Sequence, residues 1–192
     1  IDGMRADLDE MERLLTERRS SIVSETMLHL ALDHPRVQVG ALVGLISGSG
    51  FPHKYQGQTG KQFPFYKVGS ISLANPQGFI RDDRNTISKD DSHQLGAHII
   101  PANSVLMAKI GAALLLGRFV RNEKPCCIDN NMLALLPNNN VDSKFLMLAL
   151  SLVDIALLER PGPVPTLDLV GLRQNRIPLP PLTEQRRIAD EI

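Results

Sequence analysis

Hydrophobic residues at the start of the chain recur with the spacing of a coiled-coil helix. They follow a 3-4-3-4 pattern that only Arg18 interrupts, and charged or polar residues fill most of the remaining positions. Such a narrow stripe is typical of a seam between two helices rather than of a broad globular face. Pro35 predicts the end of the helix, because a proline pushes the preceding residue out of the α region. The predicted seam consists of Ile1, Met4, Leu8, Met11, Leu15 and Ile22.

This first helix is expected to form a rod that needs a partner. About 30 residues at roughly 1.5 Å each give a length of about 45 Å. Within the chain, the candidate partner is a helix predicted to begin near the C-terminus. A second copy of the chain, or another part of a longer parent chain, are the alternatives.

Beyond Pro35 the hydrophobic pattern changes to short runs that are typical of β-strands. Turns rich in glycine, asparagine, aspartate and proline separate these runs. We therefore predict an irregular, mostly antiparallel β structure. The predicted strands cover residues 37–46, 63–71, 97–100, 104–110, 114–120 and 126–136.

The C-terminal third returns to helical spacing. Residues 144–160 carry hydrophobic side chains on one helical face, and residues 166–172 are predicted to form a short helix capped by Thr166. Pro178, Pro180 and Pro181 fix an extended segment. Thr183 is the predicted N-cap of the last helix, because its hydroxyl could accept a backbone N–H of the first turn.

These elements predict an α+β fold, in which a mostly antiparallel β domain with a few helices is carried on long coiled-coil helices at its two ends. The expected division places a spacer helix at residues 1–35, the β domain at 36–180 and the start of a second helix at 181–192. Because the sequence begins with Ile1, we expect it to be a piece of a longer chain.

Charge is balanced overall but unevenly distributed. The chain has 21 Lys and Arg against 21 Asp and Glu, yet residues 35–81 contain no acid and five bases. The adjacent Cys126 and Cys127 are expected to be buried apolar residues in a reducing compartment, since a disulfide between neighbours is strained. No hydrophobic run reaches the roughly 18 residues needed to span a bilayer, so we expect a cytoplasmic protein.

No catalytic or metal-binding pattern is found in the sequence. Gly44, Gly48 and Gly50 match neither a dinucleotide-binding fingerprint nor a phosphate-binding loop, and they are interpreted as a glycine turn. The five histidines are scattered and, like the two cysteines, lack the spacing of metal ligands. We therefore expect a noncatalytic protein without a metal or cofactor of its own.

The acid-free segment is the best candidate for a binding surface. It mixes bases with Gln, His and aromatic residues, which suit phosphates, guanine edges and adenine edges. A basic loop of this kind is also a common solvated surface, so composition alone leaves both interpretations open. The candidate DNA contacts are Lys54, Tyr55, Gln56, Lys61, Gln62 and Lys67, with Lys109 and Arg118 in a second acid-free patch.

Several motifs, taken in order, resemble one half of the specificity (S) subunit of type I restriction-modification enzymes. Residues 177–189, IPLPPLTEQRRIA, resemble the junction that closes a target recognition domain and opens a conserved helix. Residues 9–27 are similar to the conserved helix, and 45–52, 63–71, 103–111 and 127–137 resemble successive parts of the recognition domain. The chain departs from the family at Gly69-Ser70, where an acidic residue is common, and it contains no Trp.

The resemblance implies a function that the residues alone do not. The β domain would be a target recognition domain that reads one half of a bipartite site in double-stranded DNA. The helices would set the distance to the other half and dock methyltransferase subunits and, through the complex, the restriction subunit. S-adenosylmethionine, ATP and Mg would be bound by those partner subunits, and the helices would also permit self-association.

Two other functions stay open at the level of sequence. The chain could be the recognition fragment of a single-chain methyltransferase-nuclease, which a neighbouring methyltransferase gene would argue against. It could also be a coiled-coil scaffold for protein assembly that does not bind DNA.

Overall fold

A long helix leads into a mixed body of short strands and helices. The computed structural model describes residues 2–192, and within the helix it describes the backbone alone at residues 2–4, 6, 9, 12 and 16. The helices are α1 (Asp2–Asp33), α2 (Lys89–Leu95), α3 (Ser143–Leu150), α4 (Leu169–Gln174) and α5 (Leu182–Glu191). The strands are β1 (Arg36–Gln38), β2 (Val43–Ser47), β3 (Phe63–Tyr66), β4 (Thr86–Ile87), β5 (Val105–Ala108), β6 (Phe119–Arg121), β7 (Cys127–Ile128), β8 (Met132–Pro137), β9 (Glu159–Arg160), β10 (Thr166–Leu167) and β11 (Arg176–Pro178).

A four-stranded antiparallel sheet, ordered β2-β8-β5-β6, forms the centre of the body. The two inner strands, β5 and β8, are nearly continuous hydrophobic runs because both of their faces are largely buried. Side chains alternate between the faces of a strand, so Val105 and Met107 of β5 join one core while Leu106 and Ala108 join another. The first core includes α3, α5 and part of α1, and the second lies under β3 and the segments around it.

The smaller sheets complete an α+β fold with mostly antiparallel pairing, which confirms this part of the predicted fold class; the coiled-coil helices at the two ends stay a prediction. The sheet β4-β3-β7 combines an antiparallel pair with a parallel one, β3 and β7. Strands β9 and β10 form a short hairpin. Strands β1 and β11 pair antiparallel, with Arg36 opposite Pro178, and so tie the two ends of the domain together.

This pairing places the end of α1 beside the start of α5. His34 Nε2 lies 3.3 Å from Glu184 Oε2. Helix α5 packs mainly on α3, where Lys144 Nζ donates to the carbonyl of Ala189, one of the last carbonyls of α5. Both helical segments therefore meet the domain at the same place.

Helix α1 has two hydrophobic stripes, one buried against the body and the other exposed. Val23, Met27 and Leu30 are buried in the first core, at 3 to 6 % exposure. Most of the predicted seam lies elsewhere, because successive residues of a helix are rotated by about 100°. Leu8, Met11, Leu15 and Ile22 are 44 to 59 % exposed. Ile1 and the side chain of Met4 lie outside the described residues, and pairing of the seam with another helix stays a prediction.

Several predicted elements differ from the structure. Residues 97–100 make only an isolated bridge, between Ile100 and Cys126, instead of a strand. Residues Val39–Ala41, Val68–Leu73 and Leu114–Leu116 form 3-10 turns inside or beside predicted strands. Each of these turns places a hydrophobic residue in a core without being extended: Val39, Ile71 and Leu114.

The predicted C-terminal helices were also partly wrong. The helix predicted for 144–160 ends at Leu150, and Asp154 caps a separate 3-10 turn, Ile155–Leu158. Thr166 lies in β10, whereas the following helix is capped by Asp168, whose side chain accepts from Val170 N. Thr183 is not an N-cap, because α5 already begins at Leu182 and the carbonyl of Pro181 accepts the N–H groups of Glu184 and Gln185.

Candidate nucleic-acid interface

The segment that carries most of the predicted contacts, residues 53–62, forms a loop between β2 and β3. Backbone groups hold it to the neighbouring strand β4 and the residue before it. Thr86 N donates to Gln58 O at 2.6 Å, and Gly57 N donates to Asn85 Oδ1 at 2.9 Å. Lys61 N donates to Thr86 Oγ1 at 2.9 Å. The loop is therefore positioned by its own main chain before any ligand arrives.

A small hydrophobic cluster supports this loop from below. Phe51 stacks on Phe65, with ring centroids 3.8 Å apart and an interplanar angle of 9°. Tyr55 is 6 % exposed, and its hydroxyl lies 3.0 Å from Gln94 Oε1, to which it donates. Among the predicted contacts, Tyr55 is thus placed as a support of the loop, because both its ring and its hydroxyl are occupied.

Gln56 and Lys67, two of the predicted contacts, line the same concave surface. We define the concave surface by Gln56, Gly57, Lys67, Gly69, Ser70, Asp82, Arg84 and Asn85, which enclose about 380 Å³. Lys67 Nζ lies 3.3 Å from Gln56 Oε1, and Gln56 Nε2 donates to the carbonyl of Phe51 at 2.9 Å. The surface therefore presents amide and ammonium groups from separate loops, a mixture suited to nucleic acid.

Arg84 is the most fully ordered cation of the concave surface. Its Nε lies 2.8 Å from Asp82 Oδ1 and its Nη2 lies 2.9 Å from Asp82 Oδ2. Asp82 is buried and also accepts from Ser70 Oγ at 2.6 Å. The hydrogen bonds from Arg84 lower the pKa of Asp82 to about 2, against the opposing effect of burial. The side chain of Arg84 is still 67 % exposed, so an oriented guanidinium faces outward.

Residues 35–81 contain no acid, but an acidic residue from elsewhere in the chain lies beside them. Lys61 Nζ forms an ion pair of 2.6 Å with Asp91 Oδ2, on α2. This bond, followed by those from Ser88, lowers the pKa of Asp91 to about 2. Lys61 therefore offers less net charge to a phosphate than the sequence implied. Lys54 and Gln62 are exposed, and Lys54 Nζ lies 4.7 Å from the ring centroid of Tyr55.

Lys109, from the other predicted patch, follows β5 beside the segment that carries Asp129, since its N–H donates to the carbonyl of Asn131 at 2.8 Å. The charges of Lys109 and Lys67 both act on the carboxyl of Asp129. Burial raises the pKa of Asp129, while hydrogen bonds from Asn131 N and Val68 N and the two lysines oppose that shift. The structure thus joins Lys109 to the region of the concave surface through a shared acidic neighbour.

Arg118 lies in a different place. It lines a hollow of about 520 Å³ between the body and α1, together with Arg19 and Ser20. Arg19 reaches across this hollow, and its Nη1 donates to the carbonyl of Pro76 at 3.0 Å. The structure therefore does not bring Arg118 together with the loop at 53–62.

Sequence reasoning missed Arg84 and Asn85. The stretch 82–85 was interpreted as turn chemistry, which it is, but the turn also delivers a guanidinium to the concave surface. A local signal existed, since Asp82 and Arg84 are spaced so that one side chain can orient the other. The sequence does not predict that Gln56, Lys67 and Arg84 lie on the same surface.

Two further properties concern the part of the chain that the structure describes, residues 2–192. No group of three or more His, Cys, Asp or Glu side chains there is arranged to hold a metal ion. None of the helices in that range has both the length and the apolar character that crossing a membrane requires.

Comparison with known protein structures shows the same architecture in S subunits. The HsdS subunit from Thermoanaerobacter tengcongensis superposes with a TM-score of 0.62 at 21 % identity, covering 99 % of this chain and 47 % of that one. A chain from a structure that concerns complex assembly and conformational transition of the type I R-M system superposes with a TM-score of 0.63 at 20 % identity, covering 99 % of this chain and 48 % of that one. The S subunit from M. genitalium superposes with a TM-score of 0.54 at 14 % identity, covering 82 % of this chain and 37 % of that one.

At these low identities the structural likeness shows a shared fold alone, and the chain spans about half the length of the first two structures. Membership of the family is established from the sequence. A family model described as the type I restriction modification DNA specificity domain matches residues 42–192, which include the central sheet, the concave surface and α5. The chain therefore belongs to the family of type I restriction-modification DNA specificity domains.

Proposed function

We propose that this chain is a noncatalytic recognition module that reads one half of a bipartite site in double-stranded DNA. The concave surface carries the proposal, because it places Gln56, Lys67 and Arg84 side by side on loops fixed to a rigid sheet. Lys54, Gln62 and Lys109 would add contacts at its margins. Lys61 contributes less, since Asp91 already neutralises it.

The arrangement of the helices supports a second part of the proposal, a spacer role. Helix α1 ends and α5 begins at the paired strands β1 and β11, so a single rigid joint connects the domain to both helices. The exposed stripe of α1 has the period of a coiled coil and is available to a partner helix. A rod of roughly 45 Å is comparable to one turn of DNA, about 34 to 36 Å, which suits two half-sites on one face.

The chemistry of the complex would belong to other subunits. We propose that methyltransferase subunits dock on the helices and that the restriction subunit joins through them. S-adenosylmethionine, ATP and Mg would be bound by those subunits. Two modest half-site readers on one stiff spacer would then multiply their discrimination.

DNA binding by the chain together with its methyltransferase subunits tests the proposal. Replacing Lys54 and Lys67 by Glu should abolish a gel shift on duplex DNA, because each lysine lost removes a favourable phosphate contact and each Glu adds repulsion. Arg160→Glu is the control, since Arg160 is an exposed base that lies in the hairpin β9–β10. Unaltered binding by the Lys54 and Lys67 variant would place the interface elsewhere.

A further inference from the structure

Arg84 and Asp82 form a donor group that carries almost no net charge. The carboxylate of Asp82 compensates the guanidinium at two contacts, 2.8 and 2.9 Å, and Asp82 itself is 4 % exposed. A phosphate is attracted chiefly by uncompensated charge, such as that of an exposed lysine. A base edge is bound through the direction of its hydrogen bonds, which a neutral pair retains. The pair is therefore better suited to a base than to the DNA backbone.

The edge of the guanidinium that remains open determines which base fits. Asp82 takes the edge formed by Nε and Nη2. Within residues 2–192, no hydrogen-bond acceptor is found for Nη1, and the side chain is 67 % exposed. The outer edge thus presents parallel N–H donors. In the major groove, guanine offers two acceptors side by side, O6 and N7, whereas adenine offers an acceptor beside a donor.

We propose that Arg84 is a specificity-determining residue that donates to O6 and N7 of a guanine in the half-site, and that Asp82 is the positioning residue that fixes its orientation. The inference rests on the proposed function and identifies one nucleobase that the domain would recognise. Ser70 takes part indirectly, because its hydroxyl donates at 2.6 Å to Asp82 Oδ2, the oxygen that also accepts from Arg84 Nη2. Lys67, at the same concave surface, is then a contact to phosphate.

The test uses the chain in complex with its methyltransferase subunits. Methylation mapping first gives the target site, and binding is then measured by fluorescence anisotropy on duplexes that carry 7-deazaguanine at each guanine in turn. This base lacks the N7 acceptor but pairs normally. At one guanine, the substitution should weaken binding by the wild-type complex, and the same substitution should have no further effect on Arg84→Ala.

The variants separate the role of orientation from that of charge. Arg84→Ala should lower affinity for the cognate site by roughly 5- to 150-fold, the range for a bidentate contact. Arg84→Lys should lose the same discrimination, because it keeps the charge and loses the fork. Arg81→Ala is the matched control, since Arg81 is an exposed arginine of the same segment that pairs with Glu123 outside the concave surface. It should bind like the wild type.

Salt dependence distinguishes a base contact from a phosphate contact. The double variant Arg84→Ala with Asp82→Asn removes both charges of the pair and should leave the slope of log K against log salt unchanged, whereas Lys67→Ala should reduce it by about 0.9. Asp82→Asn alone should lose discrimination and steepen the slope, because it releases the charge of Arg84; a merely structural role for Asp82 would not steepen it. A shallower slope for the double variant with equal losses on all sequences, or a half-site without guanine, would overturn the inference.

The two proposals fail in different ways. Wild-type binding without sequence preference would overturn the proposed function and the role of Arg84 with it. A wild-type complex that discriminates, beside an Arg84→Ala complex that discriminates equally well, would overturn the role of Arg84 alone.

Discussion

The carboxylate of Asp82 is expected to make the stability of the chain depend on pH. Its bonds to Arg84 favour the ionised form, so its pKa falls from 3.8 to about 2 on folding. As the pH falls, the unfolded chain therefore takes up this proton first. The stabilisation, about 2 kcal/mol, is fully present above pH ~5 and is lost as the pH falls through the folded pKa. Asp82→Asn should reduce the free energy of unfolding by about that amount at pH 7 and much less near pH 2.

Urea unfolding of the wild type and the variant at both pH values measures this difference. Asp83→Asn provides the control, because it removes the same charge from an exposed neighbour whose partner is Lys124. It should change stability by less than about 0.5 kcal/mol. An Asp82 effect that does not diminish in acid would show that packing, and not ionisation, accounts for it.

Gly48 occupies a position where no side chain fits. A methyl group added there would overlap the backbone carbonyls of Ile128 and Asp129, which cannot move aside without breaking the strand pairing. Gly48→Ala should lower the free energy of unfolding by about 3 kcal/mol, the upper end for an inserted methyl group. Gly50 lies two residues further along and has no atom within 4 Å of an added methyl, so Gly50→Ala should be nearly neutral. Denaturant titration of both variants distinguishes this packing requirement from a general loss of backbone freedom in the segment.

At the scale of elements, α1 is anchored by one stripe and exposes another. Met27 is 5 % exposed in the first core, whereas Leu28, one position along, is 71 % exposed. Met27→Ala should cost about 2 to 3 kcal/mol of stability, because it leaves a cavity beside α3. Leu28→Ala should cost less than about 0.5 kcal/mol. Equal losses in thermal or denaturant unfolding would mean that α1 does not pack on the body as described.

Local signals predicted the C-terminal end of α1 and the positions of the central strands. The stop at Pro35 and the hydrophobic runs at β2, β5 and β8 need no knowledge of the tertiary structure. Helix α2 was not predicted, although the sequence carries a local signal for it, since Ser88 and Asp91 form a capping box and Gly96 adopts a left-handed conformation after it. The end of α3 at Leu150 did not follow from spacing, because this helix is buried on nearly all sides and its hydrophobic pattern continues into the next turn.

The candidate site shows a different limit. Gln56 and Lys67 are close enough in sequence to be grouped by composition, and they do meet. Arg84 joins them only because β4 pairs with β3, and Asp91 reaches Lys61 only because α2 packs beside that sheet. Charge along a sequence therefore predicts an interface poorly wherever strand pairing brings distant acids and bases together.

At the scale of the whole molecule, the exposed seam of α1 is the feature that the chain by itself leaves unsatisfied. Leu8, Met11 and Leu15 are 52, 52 and 59 % exposed, and burying such side chains would contribute roughly 25 cal/mol per Å². Because none of them packs in the cores, replacing Leu8 and Leu15 by Asn should leave the free energy of unfolding of the chain nearly unchanged. The same change should abolish association through the helix, whether with methyltransferase subunits or with a second copy.

Light scattering coupled to gel filtration, on the chain alone and after co-expression with its methyltransferase subunits, measures this association. Leu32→Asn is the matched control, because Leu32 is 79 % exposed on the same helix but does not belong to the seam. It should assemble like the wild type, since a coiled coil depends on one stripe and tolerates polar residues on its outer positions. If the variant with Leu8→Asn and Leu15→Asn forms complexes as well as the wild type, the seam of α1 does not contribute to association. Helix α1 would then have no role as a spacer between two recognition domains.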